Sequence, residues 1–324
     1  MLSITAHPRF AAGLSRMLVI AGLVAAAAIQ TVRGAETFPG VLVDFGPVSA
    51  TPLFAGGGPD AWDRDLRERG WIMREGCTWH LWYTGSNRDL SPLRRLGHAT
   101  SHDGLNWRRD AANPLRRDQW VEDVCVVRDA GRLLMFAEGA EDIAHLLVSR
   151  DRVRWEPAGP LDIRGTDGRP IAAGPRGTPA VWLERGIWHL FYERSDDGVW
   201  LATSRDLRTF TNSSDEPVLA CGPEPYDRHG VAFDQVIRFR GRYFAYYHAS
   251  PVADRSCWQT CIATSTDLVH WDKYAGNPIL PVDPLAPKRS SATLVFDGTR
   301  HRLYTTHPDV RVQFSRDPVR PDCR

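Results

Sequence analysis

At 324 residues the chain is long enough for two average domains or one large one. Its 40 Lys and Arg stand against 39 Asp and Glu, a balance that excludes a chain-wide field for attracting nucleic acid or acidic membranes. No Cys/His spacing matches a zinc site, and no Ser-His-Asp arrangement is legible.

The first 35 residues differ from the rest. Arg9 and Arg16 precede an apolar run, Met17 to Ile29, and small residues follow at Gly34-Ala35. This is the layout of a secretory signal peptide, with an uncleaved membrane anchor as the alternative. A secreted or periplasmic protein is therefore expected, with residues 36–324 as one domain and no membrane attachment once the leader is removed. Six Cys fit an oxidising compartment without requiring one. Cys257 and Cys261 are close enough for a small loop bridge, and Cys77 and Cys125 read as buried free thiols.

From about residue 62 an apolar strand, a Gly-bearing turn and an aromatic strand recur five times. The copies are Trp71-Ile72-Met73 to Trp79-His80-Leu81-Trp82-Tyr83, Val124-Cys125-Val126-Val127 to Leu133-Leu134-Met135-Phe136, and Ala180-Val181-Trp182-Leu183 to Trp188-His189-Leu190-Phe191-Tyr192. Val236-Ile237 to Tyr243-Phe244-Ala245-Tyr246-Tyr247 and Leu294-Val295-Phe296 to His301-Arg302-Leu303-Tyr304 complete the set. Trp79, Leu133, Trp188, Tyr243 and His301 hold matching positions, 54, 55, 55 and 58 residues apart. Such a period in β-forming sequence predicts an all-β fold, a five-bladed β-propeller. A second motif follows four copies: Ser-x-Asp with an aromatic four residues after the Asp, namely Trp107, Trp155, Phe210 and Trp271. These Asp residues read as turn-formers and the aromatics as plugs between blades. The fifth copy, Ser315-Arg316-Asp317, lacks the aromatic.

In a propeller the start of each inner strand and the end of the next lie at one mouth of the channel. The starts carry Glu68-Arg69, Glu122-Asp123, Thr178, Asp234-Gln235 and Ser290-Ser291; the ends carry Thr84, Glu138, Glu193-Arg194, His248 and Thr306-His307. Charges there are solvated, paired or used, because burying them unpaired is costly. Ion pairs with the many Arg are the plain alternative for any single acid. Several carboxylates with aromatic platforms suit glycosidic bond cleavage, in which one carboxylic acid protonates the leaving oxygen and one carboxylate activates water.

Phrases such as Gly97-His98-Ala99-Thr100-Ser101-His102-Asp103-Gly104-Leu105-Asn106-Trp107, repeated as Ala263-Thr264-Ser265-Thr266-Asp267-Leu268-Val269-His270-Trp271, resemble the five-bladed glycosidases of glycoside hydrolase families 43, 32 and 117. The resemblance covers roughly residues 60 to 317 and implies three acids at the mouth. Asp123 matches the opening of an inner strand in those families. The Asp-Pro opening of blade one and the Glu-Gly-Pro opening of a late blade are absent. The sequence thus reads as a divergent branch.

The expected roles are Glu68 (or Asp63) as base, Asp123 as modulator of the acid's pKa, and Glu193 (or Asp227) as acid. Asp63, Thr178, Glu138, Asp234, His248 and His307 are expected to bind substrate, with Trp62 and Trp120 as stacking surfaces. Arg69, with Arg64 and Arg67, would hold an anionic or hydroxyl-rich sugar. A carbohydrate is the expected partner. No cofactor or metal is expected from the sequence, although related propellers leave calcium in the channel open. Two alternatives remain: a glycoside phosphorylase using the blade-one Arg residues for phosphate, and a carbohydrate-binding propeller whose acids are locked in ion pairs.

Overall fold

The computed structural model describes residues 38–317, so the expected leader and Cys323 lie outside the described residues. Residues 40–317 belong to one compact unit built of five sheets. Blade one holds β1 (Asp65–Glu75), β2 (Thr78–Ser86), β3 (Arg95–Ser101) and β4 (Arg108–Arg109). Blade two holds β5 (Glu122–Asp129), β6 (Arg132–Glu138), β7 (Ala144–Ser149) and β8 (Glu156–Pro160). Blade three adds β9 (Asp162–Arg164) at its edge to β10 (Gly177–Glu184), β11 (Ile187–Glu193), β12 (Gly198–Ser204), β13 (Thr209–Asn212) and β14 (Leu219–Ala220). Blade four holds β15 (Gly230–Phe239), β16 (Arg242–Ser250), β17 (Gln259–Ser265) and β18 (Trp271–Lys273); blade five holds β19 (Ser290–Phe296), β20 (His301–His307) and β21 (Arg311–Phe314). The inner strands β1, β5, β10, β15 and β19 contact one another in turn, and β19 meets β1 again. The sheets therefore close a ring, the five-bladed propeller that the period predicts.

Each repeat becomes a hairpin because its turn demands it. Ala130-Gly131, Arg185-Gly186 and Arg240-Gly241 all have positive φ at both residues. That is the two-residue turn whose twist matches the flanking strands. The Asp of each Ser-x-Asp accepts backbone N–H groups just ahead of it, as in Leu105 N and Asn106 N to Asp103 Oδ1 at 2.8 Å. The aromatic that follows packs against the preceding blade. Trp155 meets Trp82 edge-on at 6.0 Å, Phe210 meets Phe136 at 6.4 Å, and Trp271 meets Phe191 at 5.8 Å. Trp107 packs with Tyr304, Val310 and Val312 of blade five.

Blade five lacks the plug because its outer edge comes from the other end of the chain. Gly46 N donates to Phe314 O at 2.8 Å, Ser49 N to Val312 O at 3.1 Å, and Leu53 N to Val310 O at 2.8 Å. Residues 45–54 thus serve as the outermost strand beside β21. Among the described residues no helix is long and apolar enough to cross a membrane. Cys257 and Cys261 carry free thiols, so the loop bridge that their spacing allows is not formed. Cys125 is buried, but Cys77, at the tip of a hairpin, is exposed.

Candidate active site

Every inner strand is interrupted near its start. The register with the second strand slips between Arg67 and Trp71, Glu122 and Cys125, Gly177 and Ala180, and Phe233 and Gln235. In blade five Ser291 drops out of the pairing. The four slips are β-bulges, which re-aim side chains out of the pleat, whereas blade five keeps its register across the gap. Glu68, Asp123 and Thr178 sit at slips with φ of 49°, 48° and 44°, and Ser291 at the gap with φ of 66°. Left-handed backbone at such residues costs of order 1–3 kcal/mol and persists only where neighbours fix it.

The neighbours here are the side chains of the mouth itself. Glu68 N donates to His307 Nδ1 at 2.7 Å, Arg69 N to Asp123 Oδ1 at 2.8 Å, and Thr178 N to Glu138 Oε2 at 2.9 Å. Gly177 N donates to Glu193 Oε1 at 3.1 Å, and Ala292 N to Asp234 Oδ2 at 3.0 Å. Most of these bonds cross from one blade to the next. The groups that shape the bulges are the groups that line the opening.

The opening is a cavity of about 410 Å³. Of the predicted residues, Glu68, Asp123, Glu193, Glu138, Thr178, His248 and His307 line it. Asp234 is fully buried directly behind His248, accepting from its Nδ1 at 2.8 Å. The remaining predicted residues lie elsewhere. Asp63 is buried against Arg109 at 2.8 Å and Tyr83 Oη at 3.0 Å. Trp62 stacks on Tyr83. Trp120 donates from Nε1 to Glu122 Oε2 at 2.7 Å and lies under Arg94. Asp227 is buried beside Lys273 at 2.6 Å, away from the cavity. Arg69 is fully buried and spends its guanidinium on backbone carbonyls, so no face of it reaches a sugar. Arg64 pairs with Asp65 and Asp89, leaving only Arg67 of the three near the opening, on Glu68 at 2.5 Å.

Several lining residues escaped the sequence reading. Asp142 and Asp196 follow Glu138 and Glu193 in equivalent hairpin loops, a repeat signal that was legible. Arg94, Arg255, Trp258 and Lys288 come from connections without a repeated phrase. Trp258 supplies an aromatic wall, meeting the His248 ring edge-on at 4.9 Å.

The carboxyl groups are not equivalent. Burial raises Glu68, but Coulombic attraction outweighs it and holds the carboxyl below its usual range. His307 is not the source of that charge: its Nδ1 accepts the Glu68 N–H and burial lowers the ring to about 4, so it is neutral. Arg67, Arg94 and His248 carry it. Burial and nearby acids push Glu193 up to about 7 and Glu138 well above its usual value. Asp123 rises to about 6 through burial and the Glu68 charge. Glu122 rises to about 8 through burial, against its pairing with Arg94. Burial opposes a charge on His248, yet Asp234, Asp196 and Asp123 raise it to about 9. Near neutral pH the cavity thus holds Glu68 as a carboxylate, Glu122 and Glu138 as carboxylic acids, Glu193 in mid-titration, His248 as an imidazolium and His307 as a neutral imidazole.

Carboxylate oxygens of Glu68, Glu122 and Asp123 lie within 4.8 Å of one another. Arg94 and Trp120 already occupy Glu122, and the Arg69 N–H occupies Asp123 Oδ1, so the group reads as a proton-sharing cluster. Glu138 and Glu193 form a second close pair. Both lie within 2.8 Å of the point a Cβ on Gly177 would occupy, which is why no side chain fits there.

No protein-family model matches the sequence, and no curated protein matches it. Solved structures do. A putative glycosidase from Bacteroides thetaiotaomicron VPI-5482 superposes with a TM-score of 0.69 at 17% identity, over 86% of this chain and 99% of that one. A β-1,2-mannobiose phosphorylase from Listeria innocua gives 0.64 at 15%, over 82% and 95%. The catalytic domain of a Coprinopsis cinerea GH62 α-L-arabinofuranosidase gives 0.64 at 10%, over 87% and 99%. What they share with this chain is its fold. The chain is a five-bladed β-propeller.

Proposed function

We propose that this propeller is an exported glycoside hydrolase that cleaves a poly- or oligosaccharide with inversion. The observation that carries the reading is one cavity lined by carboxyl groups from different blades in unlike surroundings, Glu68 beside Arg94 and His248, and Glu193 beside Asp142 and Asp196. Glu68, on blade one, is ionised and serves as base for water. Glu193, on blade three, keeps its proton up to about pH 7 and serves as acid to the leaving oxygen. Asp123 shares charge with Glu68 and orients it. Glu138, Thr178, His248 and His307 hold sugar hydroxyls, and Trp258 offers a stacking face. The carboxylates of Glu68 and Asp123 are too close for a base and an acid separated by water, which need ~6.5–9.5 Å.

Among the described residues Glu138, Glu193 and Asp123 form no ion pair, which argues against a binding module with all its acids locked. The glycoside-active proteins that share the fold support a carbohydrate substrate. The test is a screen of pentosides, hexosides and uronides with anomer analysis by NMR. Asp123→Ala and Glu193→Ala should fold normally and lose about 10²–10⁴ in turnover. Near-normal turnover in both would reject the assignment. Net retention would instead implicate Glu68 and Asp123, whose spacing is near the ~5–5.5 Å of a nucleophile and its partner.

Phosphorolysis is the second reading. It is favoured by Arg255, Lys288 and His248 on the wall formed by blades four and five, not by the blade-one Arg residues. Turnover that requires inorganic phosphate would select it.

A further inference from the structure

Arg69 is among the largest fully buried side chains of the described residues, and it forms no ion pair there. Its Nη1 donates to Phe233 O at 2.6 Å and Asp234 O at 3.2 Å on blade four. Its Nη2 donates to Asp123 O on blade two and Pro179 O on blade three, both at 2.6 Å. The arginine starts on blade one, so one guanidinium crosses the axis to three other blades. Blade five joins through Asp234, whose Oδ2 accepts from Ala292 N.

A bulge removes backbone groups from the ladder. Buried carbonyls left unpaired in this way are costly, because they lose water without gaining a donor. Here several bulges turn carbonyls toward one axis, and the planar five-donor fork of an arginine answers four of them at once. Lysine, with a compact ammonium, cannot span the same set. Two of the four carbonyls belong to residues that line or back the cavity, Asp123 and Asp234. Arg69 binds the Asp123 carbonyl through Nη2 and the Asp123 carboxylate through its own N–H. It binds the Asp234 carbonyl, and the Asp234 side chain in turn holds His248.

We propose that Arg69 is a positioning residue that sets the aim of Asp123 and of the Asp234–His248 pair from the channel beneath the site. The proposal rests on the glycoside-cleaving reading for its kinetic arm only. Arg69 has no face on the cavity, so its loss should act only through the groups above, misaligning Asp123 in the reaction and His248 on the sugar. A displacement of ~1 Å in such a group can cost 10²-fold.

The experiment compares wild type, Arg69→Ala and Arg69→Lys by circular dichroism, melting temperature, kcat and KM, with and without millimolar guanidinium. Arg69→Ala vacates a space shaped for guanidinium. Added guanidinium should raise its melting temperature saturably while only lowering that of wild type. The kinetic expectation is a kcat loss near 10²-fold as Asp123 loses its aim, with KM raised as His248 loses its aim. Guanidinium should restore turnover in part, and Arg69→Lys should fold yet stay impaired. Wild-type kcat in either variant overturns the proposal. So does a loss that guanidinium fails to rescue, or failure of both variants to fold, since each makes Arg69 a scaffold residue alone. If wild type cleaves no glycoside, the functional reading falls, while the guanidinium-dependent melting still judges Arg69.

Discussion

Glu68 sits among Arg67, Arg94 and His248, whereas Glu193 is raised by burial and the neighbouring Asp196 and Asp142. The two side chains share a cavity and differ in the charges they meet. Turnover should therefore rise as Glu68 ionises, below the usual Glu range, and fall as Glu193 loses its proton near pH 7. A pH–rate profile checks both limbs, and Glu193→Gln should abolish the alkaline limb along with most activity. The same burial has a cost in stability. A carboxyl raised in the fold favours the protonated form, so its stabilising contribution is full below the unfolded pKa and lost as pH rises through the folded one. Glu138 is raised well above its usual value, so Glu138→Gln should raise the melting temperature more at pH 8 than at pH 5. Glu68, Asp123, Thr178 and Asp234 were legible because the repeat aligns them. The direction of Arg69 was not. It is one residue beyond Glu68, and the extra residue of a bulge decides which of two neighbours enters the channel.

At the scale of elements, the strands are legible because apolar alternation and Gly turns recur in phase. The interfaces between blades follow from the same phase. Phe210 is fully buried and meets Phe136 of the preceding blade edge-on. Phe210→Ala should destabilise by about 3–5 kcal/mol in denaturant melts, while an exposed change such as Leu90→Ala should leave stability nearly unchanged. The Ser-x-Asp turns hold their Asp by backbone N–H groups, which explains why these acids do not join the site. Arg255 and Trp258 could not be foreseen, because the β16–β17 connection that carries them, although it holds the same place as the loops of Asp142 and Asp196, is longer and shares no phrase with them.

For the whole molecule, the strand that completes blade five was invisible in the sequence. Residues 45–54 carry no repeat phrase, and their partners are more than 250 positions away, as in Arg311 Nη1 to Ser49 O. A chain beginning at Ala55 should expose the edge of β21 and lose Phe54 from the cluster beside blade one. We expect a lower melting temperature and a tendency to associate, measurable by calorimetry and light scattering. An unchanged melting temperature would mean that the clasp contributes nothing. The clasp also sets an order of events during synthesis. An early segment must wait, with its edge hydrogen bonds unmade, until almost the last strand leaves the ribosome. Every nascent chain that still lacks β21 therefore carries an open seam, and its need for chaperone cover should last until β21 has emerged.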